Sequence, residues 1–207
     1  EKESNFYRPL VALSFAFDYK LWTLNPIGFH VTNIILHILS AIIIFRLFLL
    51  FQKEKLVSFL TSLLFLVHPL QVEAVTYIAG RSDILAVAFS LLSIYFFTRY
   101  SIAGNKWLYI ASLITLVFAL LSKEIVIILP LLILLSQFVF IKKNDGKSLS
   151  IKKILILLIP FFTLSLIYVS FRYTILDLGN NFSTFNSIPL ISRFLIFLNV
   201  LPVYFKI

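Results

Sequence analysis

Residues 107–141 read WLYIASLITLVFALLSKEIVIILPLLILLSQFVFI. Lys123-Glu124 is the only charged interruption in this run. As one helix the segment would extend about 52 Å at 1.5 Å per residue. A bilayer offers only about 30 Å of hydrocarbon. Ser122-Lys123-Glu124 is therefore predicted to be a turn between two crossings. That makes the chain polytopic, and the remaining sequence can be read outward from this hairpin.

Further apolar stretches lie at about 27–45, 56–67, 84–98, 154–171 and 188–205. With the two halves of 107–141, this gives about seven transmembrane helices. Hydrophobic residues make up 60% of the 207 and charged residues 13%, with a mean hydropathy of +1.01. So little polar surface cannot cover so much apolar mass in water, which excludes a soluble enzyme, a disordered chain and a basic nucleic-acid-binding domain. The 56–67 stretch is short and runs into His68-Pro69, so it reads as a short or tilted span or a re-entrant half-helix. Residues 5–24 mix Phe6, Tyr7, Phe15, Phe17, Tyr19 and Trp22 with Arg8, Asp18 and Lys20. They are predicted to form an amphipathic helix in the interface, ending before an Asn25 N-cap and Pro26 at the first turn of the next span. The expected class is all-α. Residues 1–26 would belong to the first extracytoplasmic loop, and 27–207 to a multi-span domain truncated at both ends.

The chain contains no cysteine and no methionine, which leaves no thiolate metal site or cysteine nucleophile. It opens at Glu1 and stops after an apolar run, so it reads as an internal fragment, inactive by itself. The net charge is +9, from 18 Lys and Arg against 9 Asp and Glu. Alternating the spans sorts these charges. Arg46, Lys53, Lys55, Arg99, Lys106, Lys142, Lys143, Lys147, Lys152 and Lys153 fall on one side, opposed only by Glu54 and Asp145. By the positive-inside rule that side is cytoplasmic, and the basic excess needs no nucleic acid.

The other side is close to neutral, and its charges sit in very short links beside hydrocarbon. Glu73, Arg81, Asp83, Lys123 and Glu124 are there, with His68 and His30. Such groups cost about 2.5–3.5 kcal/mol each at mid-span and less near its end. They persist when they pair, meet water or serve a substrate. Local structural readings exist for several. Arg81 with Asp83 can cap the 84–98 helix, and Lys123 with Glu124 can form a snorkelling pair at a turn. His30, Asn33 and His37 lie along one helical stripe that suits interhelical hydrogen bonds. Glu73 has no base within four positions. Taken together, bases beside acids at an outer interface suit a lipid phosphate. Arg and Lys would hold the phosphate, while a carboxylate could take a proton from a hydroxyl or hold a divalent cation.

Several blocks also resemble the transmembrane and TPR repeat-containing (TMTC) family, which is similar to the protein O-mannosyltransferases. They are Tyr7-Arg8-Pro9-Leu10, Leu24-Asn25-Pro26, Thr32-Asn33-Ile34-Ile35-Leu36-His37, His68-Pro69-Leu70-Gln71-Val72-Glu73-Ala74-Val75, Gly80-Arg81-Ser82-Asp83 and Ser122-Lys123-Glu124. The match runs in order from about residue 7 to about 130. The resemblance implies a GT-C type glycosyltransferase. It would move a sugar from a polyprenyl-phosphate donor to a protein or glycan hydroxyl, with inversion, at the extracytoplasmic face. It places Arg8, Arg81 and Lys123 on the donor phosphate. Glu73, Asp83 and Glu124 would be supporting acids, and His68 and His30 further site residues. The family's main acidic motif would lie upstream of residue 1, and a TPR array downstream. A divalent cation is a candidate cofactor.

Two other readings are available. A transporter or flippase for a lipid-linked or anionic solute should show paired halves or helices broken at mid-depth. No twofold repeat is visible, and the charges gather at one face. A membrane anchor would not need so many costly polar groups. The expected location is a bacterial inner membrane, with the endoplasmic reticulum membrane as the alternative.

Overall fold

The computed structural model describes residues 7–143 and 149–175, with the backbone alone at 140–143, 173 and 175. Every regular element among them is helical. Pro9 opens α1 (Pro9–Trp22), where its fixed φ and missing N–H cost nothing. Asn25 caps α2 (Pro26–Gln52) as the sequence predicts, its Oδ1 accepting from the Ile27 N–H at 3.1 Å. Lys53, in the left-handed region, ends α2, and α3 (Lys55–Val67) returns beside it.

The chain then bends by 50° between α3 and residues 69–76. His68 is extended, as a residue before proline prefers to be. A 3-10 turn (Pro69–Gln71), the five-residue α4 (Val72–Thr76) and a second 3-10 turn (Ile78–Gly80) lead into α5 (Arg81–Ala103). Gly104, at φ +67, closes α5, and α6 (Lys106–Ser122) runs back antiparallel to it. The break read at Ser122-Lys123-Glu124 is real. Lys123 is extended, and a 3-10 segment (Glu124–Ile128) precedes α7 (Leu129–Lys143). Pro130 falls in the first turn of α7, where it is tolerated. Last comes α8 (Ile151–Ile175).

The chain divides into two compact units, one of which is Phe6–Tyr168. The described part of the other is the end of α8, where Thr174 Oγ1 donates to the Ser170 carbonyl at 2.7 Å. In the larger unit, Phe97, Leu116, Ile133, Leu158 and Phe161 form a fully buried core among α5–α8. Hydroxyls join these helices inside the core. Ser93 and Ser112 each donate to the other's carbonyl, at 2.8 and 2.7 Å. Gln137 accepts from Ser101 at 3.0 Å and donates to Thr98 at 2.9 Å. With no water in hydrocarbon, such bonds satisfy polar groups between helices.

The exterior is apolar: Ile34, Ile35, Ile38, Leu39 and Ile42 of α2 are all exposed. Among the described residues, three helices are long and apolar enough to cross a membrane, Pro26–Gln52, Ile78–Ala103 and Ile151–Arg172, and the bent α3–α4 pair would make a fourth. Lys106–Ser122 and Glu124–Val139 are apolar but shorter. The expected stretch at 188–205 lies outside the described residues. This is an all-α, multi-pass membrane architecture.

α1 departs from the amphipathic pattern expected of it. Asp18 is 1% exposed, while Leu13, Phe17 and Leu21 face outward. The physical reason is a buried partner for Asp18 on another helix.

Candidate functional site

At one end of the bundle, the start of α1, the 70–80 segment, the start of α5 and the turn after α6 surround a cleft of about 520 Å³. Arg8, Glu73, Tyr77, Ser82, Asp83 and Lys123 line it. Each is placed by a local feature. Arg8 immediately precedes the α1 helix. Glu73 lies in the first turn of α4 and Asp83 in the first turn of α5. Lys123 is the extended residue that ends α6.

Gly80 fixes how closely two of these walls approach. A Cβ there would sit 2.4 Å from the Ala74 carbonyl oxygen. Only glycine lets α4 fold down against the start of α5.

Two ion pairs border the cleft. Arg8 grips Glu124 with a two-pronged contact, Nη2 to Oε1 at 3.1 Å and Nε to Oε2 at 3.4 Å. Its Nη1 donates to Ser82 Oγ at 3.3 Å. Lys123 Nζ donates to Asp83 Oδ1. Both pairs are partly exposed, so solvent or a ligand can compete for them. Glu73 is exposed on the cleft wall and has no ion-pair partner among the described residues.

Arg81, expected on a donor phosphate, does not line this cleft. Its side chain is fully buried and its nitrogens are committed. Nη1 pairs with Asp18 Oδ2 at 2.5 Å. Nε donates to Asn33 Oδ1 at 2.7 Å, and Nη2 to the Phe29 carbonyl at 2.9 Å. The guanidinium carbon lies 4.5 Å from the Phe15 ring centre and 5.9 Å from that of Phe29. Asp18 Oδ1 accepts from Thr32 at 2.9 Å. A phosphate could reach Arg81 only by dismantling this set.

None of the three histidines lines this cleft. His68 Nδ1 accepts from the Leu70 N–H at 3.2 Å and caps the 3-10 turn. His68 lines a separate groove of about 400 Å³ beside His37. His37 Nε2 meets the Leu66 carbonyl at 3.2 Å and so ties α2 to α3. His30 is half-buried on α2 and does not line the cleft.

Sequence reasoning missed Asp18, Tyr77 and Ser82 as parts of this region, whereas Asn33 makes interhelical bonds of the kind its stripe on α2 suits. The available signal for Asp18 was an acid inside a short, mostly apolar helix, which costs too much unless it is paired. Among the described residues, no group of three or more Asp, Glu or His could hold a metal ion.

Residues 9–171 match the family described as dolichyl-phosphate-mannose-protein mannosyltransferase. The human protein O-mannosyl-transferase TMTC3 is 38% identical over 127 residues, which is 60% of this chain and 14% of that protein. Human TMTC1 is 40% identical over 94 residues, 45% of this chain and 11% of that protein. The Caenorhabditis elegans protein O-mannosyl-transferase F38B6.6 is 32% identical over 123 residues, 57% of this chain and 17% of that protein. The chain thus spans a small part of the length of these relatives. No solved structure matches it.

Proposed function

Since the chain belongs to the dolichyl-phosphate-mannose-protein mannosyltransferase family, we propose that it forms part of a membrane glycosyltransferase. The enzyme would pass mannose from a polyprenyl-phosphate donor to a protein hydroxyl at the extracytoplasmic face. The observation that carries this reading is the cleft itself. Arg8 and Lys123 line one cavity with Glu73 and Asp83 at one end of an apolar bundle.

The chemistry follows from those charges. The donor phosphate takes Lys123 from Asp83 and shares Arg8 with Glu124, because both pairs are open enough to exchange partners. The acceptor oxygen attacks C1 of the sugar from the face opposite the phosphate. The bond between C1 and the phosphate oxygen breaks, and its electron pair remains on the leaving phosphate. Arg8 and Lys123 stabilise the charge that develops there. The hydroxyl proton leaves to a carboxylate, and configuration at C1 inverts. Glu73, exposed on the wall, orients the acceptor hydroxyl. We place the enzyme in a bacterial inner membrane, with the endoplasmic reticulum as the alternative that its animal relatives raise.

The test uses the full-length protein in membranes, supplied with radiolabelled polyprenyl-phosphate mannose and an acceptor peptide. Label should pass to the peptide, Glu73→Gln should cut the rate roughly 100-fold, and Lys123→Ala should weaken use of the donor. Label that crosses the membrane without joining the peptide would make the protein a transporter instead.

A further inference from the structure

Three walls of the cleft come from separate parts of the chain, and one buried polar cluster touches all three. Arg81 directly precedes Ser82 and Asp83, which line the cleft from α5. Through Nη1 it meets Asp18 Oδ2 and the Ser14 carbonyl of α1, the helix that Arg8 precedes. Through Nε it meets Asn33 of α2. Asn33 then turns its amide the other way. Nδ2 donates to the Val75 and Tyr77 carbonyls, each at 3.4 Å. Those carbonyls belong to the segment that carries Glu73 and Tyr77.

That segment packs against α2 and α5 but has little regular structure of its own. It is built of a five-residue helix between two 3-10 turns, and Val72, Glu73, Thr76 and Tyr77 are all exposed. A helix this short does not persist without tertiary contacts. Asn33 is fully buried. An amide there, facing a guanidinium on one side and two backbone carbonyls on the other, does more than satisfy itself.

We propose that Asn33 is a positioning residue, which with Asp18 and Arg81 sets the Glu73–Tyr77 wall at a fixed distance from Arg8, Asp83 and Lys123. This rests on the glycosyltransferase reading of the cleft and adds to it the device that holds the acceptor side in register with the donor side. Misplacement of a reacting group by about 1 Å can cost roughly 100-fold in rate.

The informative change is Asn33→Asp in the full-length protein. It keeps the side-chain volume and the oxygen that accepts from Arg81, and replaces the two N–H donors to Val75 and Tyr77 with a carboxylate oxygen that repels both carbonyls and adds a negative charge beside Arg81. Two quantities are measured, donor kinetics and amide hydrogen exchange. The expected result is a fall in kcat of roughly 100-fold with KM for polyprenyl-phosphate mannose within about twofold of wild type. Residues 72–80 should exchange faster, while α2 and α5 stay protected. Unchanged kcat, or unchanged exchange at 72–80, overturns the proposal. So does a variant that fails to accumulate in the membrane, which would make Asn33 a folding residue. Wild-type protein that transfers no sugar defeats the enzymatic reading, and the exchange result then still decides whether Asn33 pins the wall.

Discussion

Lys123, the residue that ends α6, reaches across to Asp83 in the first turn of α5. This bond joins the two ends of the α5–α6 hairpin at the cleft. Both side chains are partly exposed, at 27% and 47%. Pairs of that kind contribute about 0.2–1 kcal/mol to stability. Lys123→Ala should therefore leave the thermal midpoint nearly unchanged. Its effect should fall on the donor, because hydrogen bonds to a charged group are worth about 1.5–3 kcal/mol. KM for polyprenyl-phosphate mannose is expected to rise about 10-fold or more. Asp83→Asn, which frees Lys123 for the phosphate, should lower it. Measuring donor KM in both variants checks the assignment, and shifts of the same sign would defeat it.

Arg8 offers a planar fork where lysine would offer a point charge. Its Nε and Nη2 meet both oxygens of Glu124 while Nη1 reaches Ser82. Arg8→Lys keeps the charge and loses this geometry. Transfer should fall about 10-fold, with the folded protein retained. A lysine variant with wild-type turnover would mean that charge alone suffices at this position.

Gly80→Ala tests the closeness of two walls. The new methyl would sit 2.4 Å from a backbone oxygen of Ala74, which no side-chain rotation can relieve. Overpacking of this kind costs about 1–3 kcal/mol. The α4 segment should move away from α5 and carry Glu73 with it. Lower thermal stability and reduced transfer should appear together, and alanine tolerated in both measurements would show that the approach is not required.

The sequence made the helices legible but not their partners. Apolar length, the Asn25-Pro26 cap and the charged break at Lys123-Glu124 all act locally, so composition and spacing expose them. The ion pairs are different. Neighbouring charges invited local pairing, Arg81 with Asp83 and Lys123 with Glu124. The structure crosses them instead, joining Arg81 to Asp18, Asp83 to Lys123 and Glu124 to Arg8. Arg81 and Asp83, two apart on α5, do not face each other, and Lys123 is extended before the 3-10 segment that Glu124 begins, so these neighbouring charges find partners on other elements. For the same reason Arg8, Glu73, Asp83 and Lys123 could be read as one cluster from their shared membrane side, while the burial of Arg81 could not. Asp18 escaped notice because a helix dense in aromatics with three charges around it looks interfacial until its acid is seen to point inward.

The Asp18–Arg81 pair is buried on both sides, at 1% and 0% exposure. Removing one member strands a charge in a medium that cannot solvate it, at a cost of about 3–5 kcal/mol. That is a large share of the 5–15 kcal/mol that holds a typical domain together. Arg81→Met should therefore lose folded protein, unlike Lys123→Ala. The double variant Asp18→Leu/Arg81→Met removes both charges, and apolar replacement of a buried pair is often neutral. It should recover much of the monodisperse protein on size-exclusion chromatography in detergent. Its transfer rate should remain low, since Asn33 no longer has Arg81 to brace it. If Arg81→Met alone folds as well as wild type, the pair is not structural, and if the double variant regains full activity, it does not set the cleft.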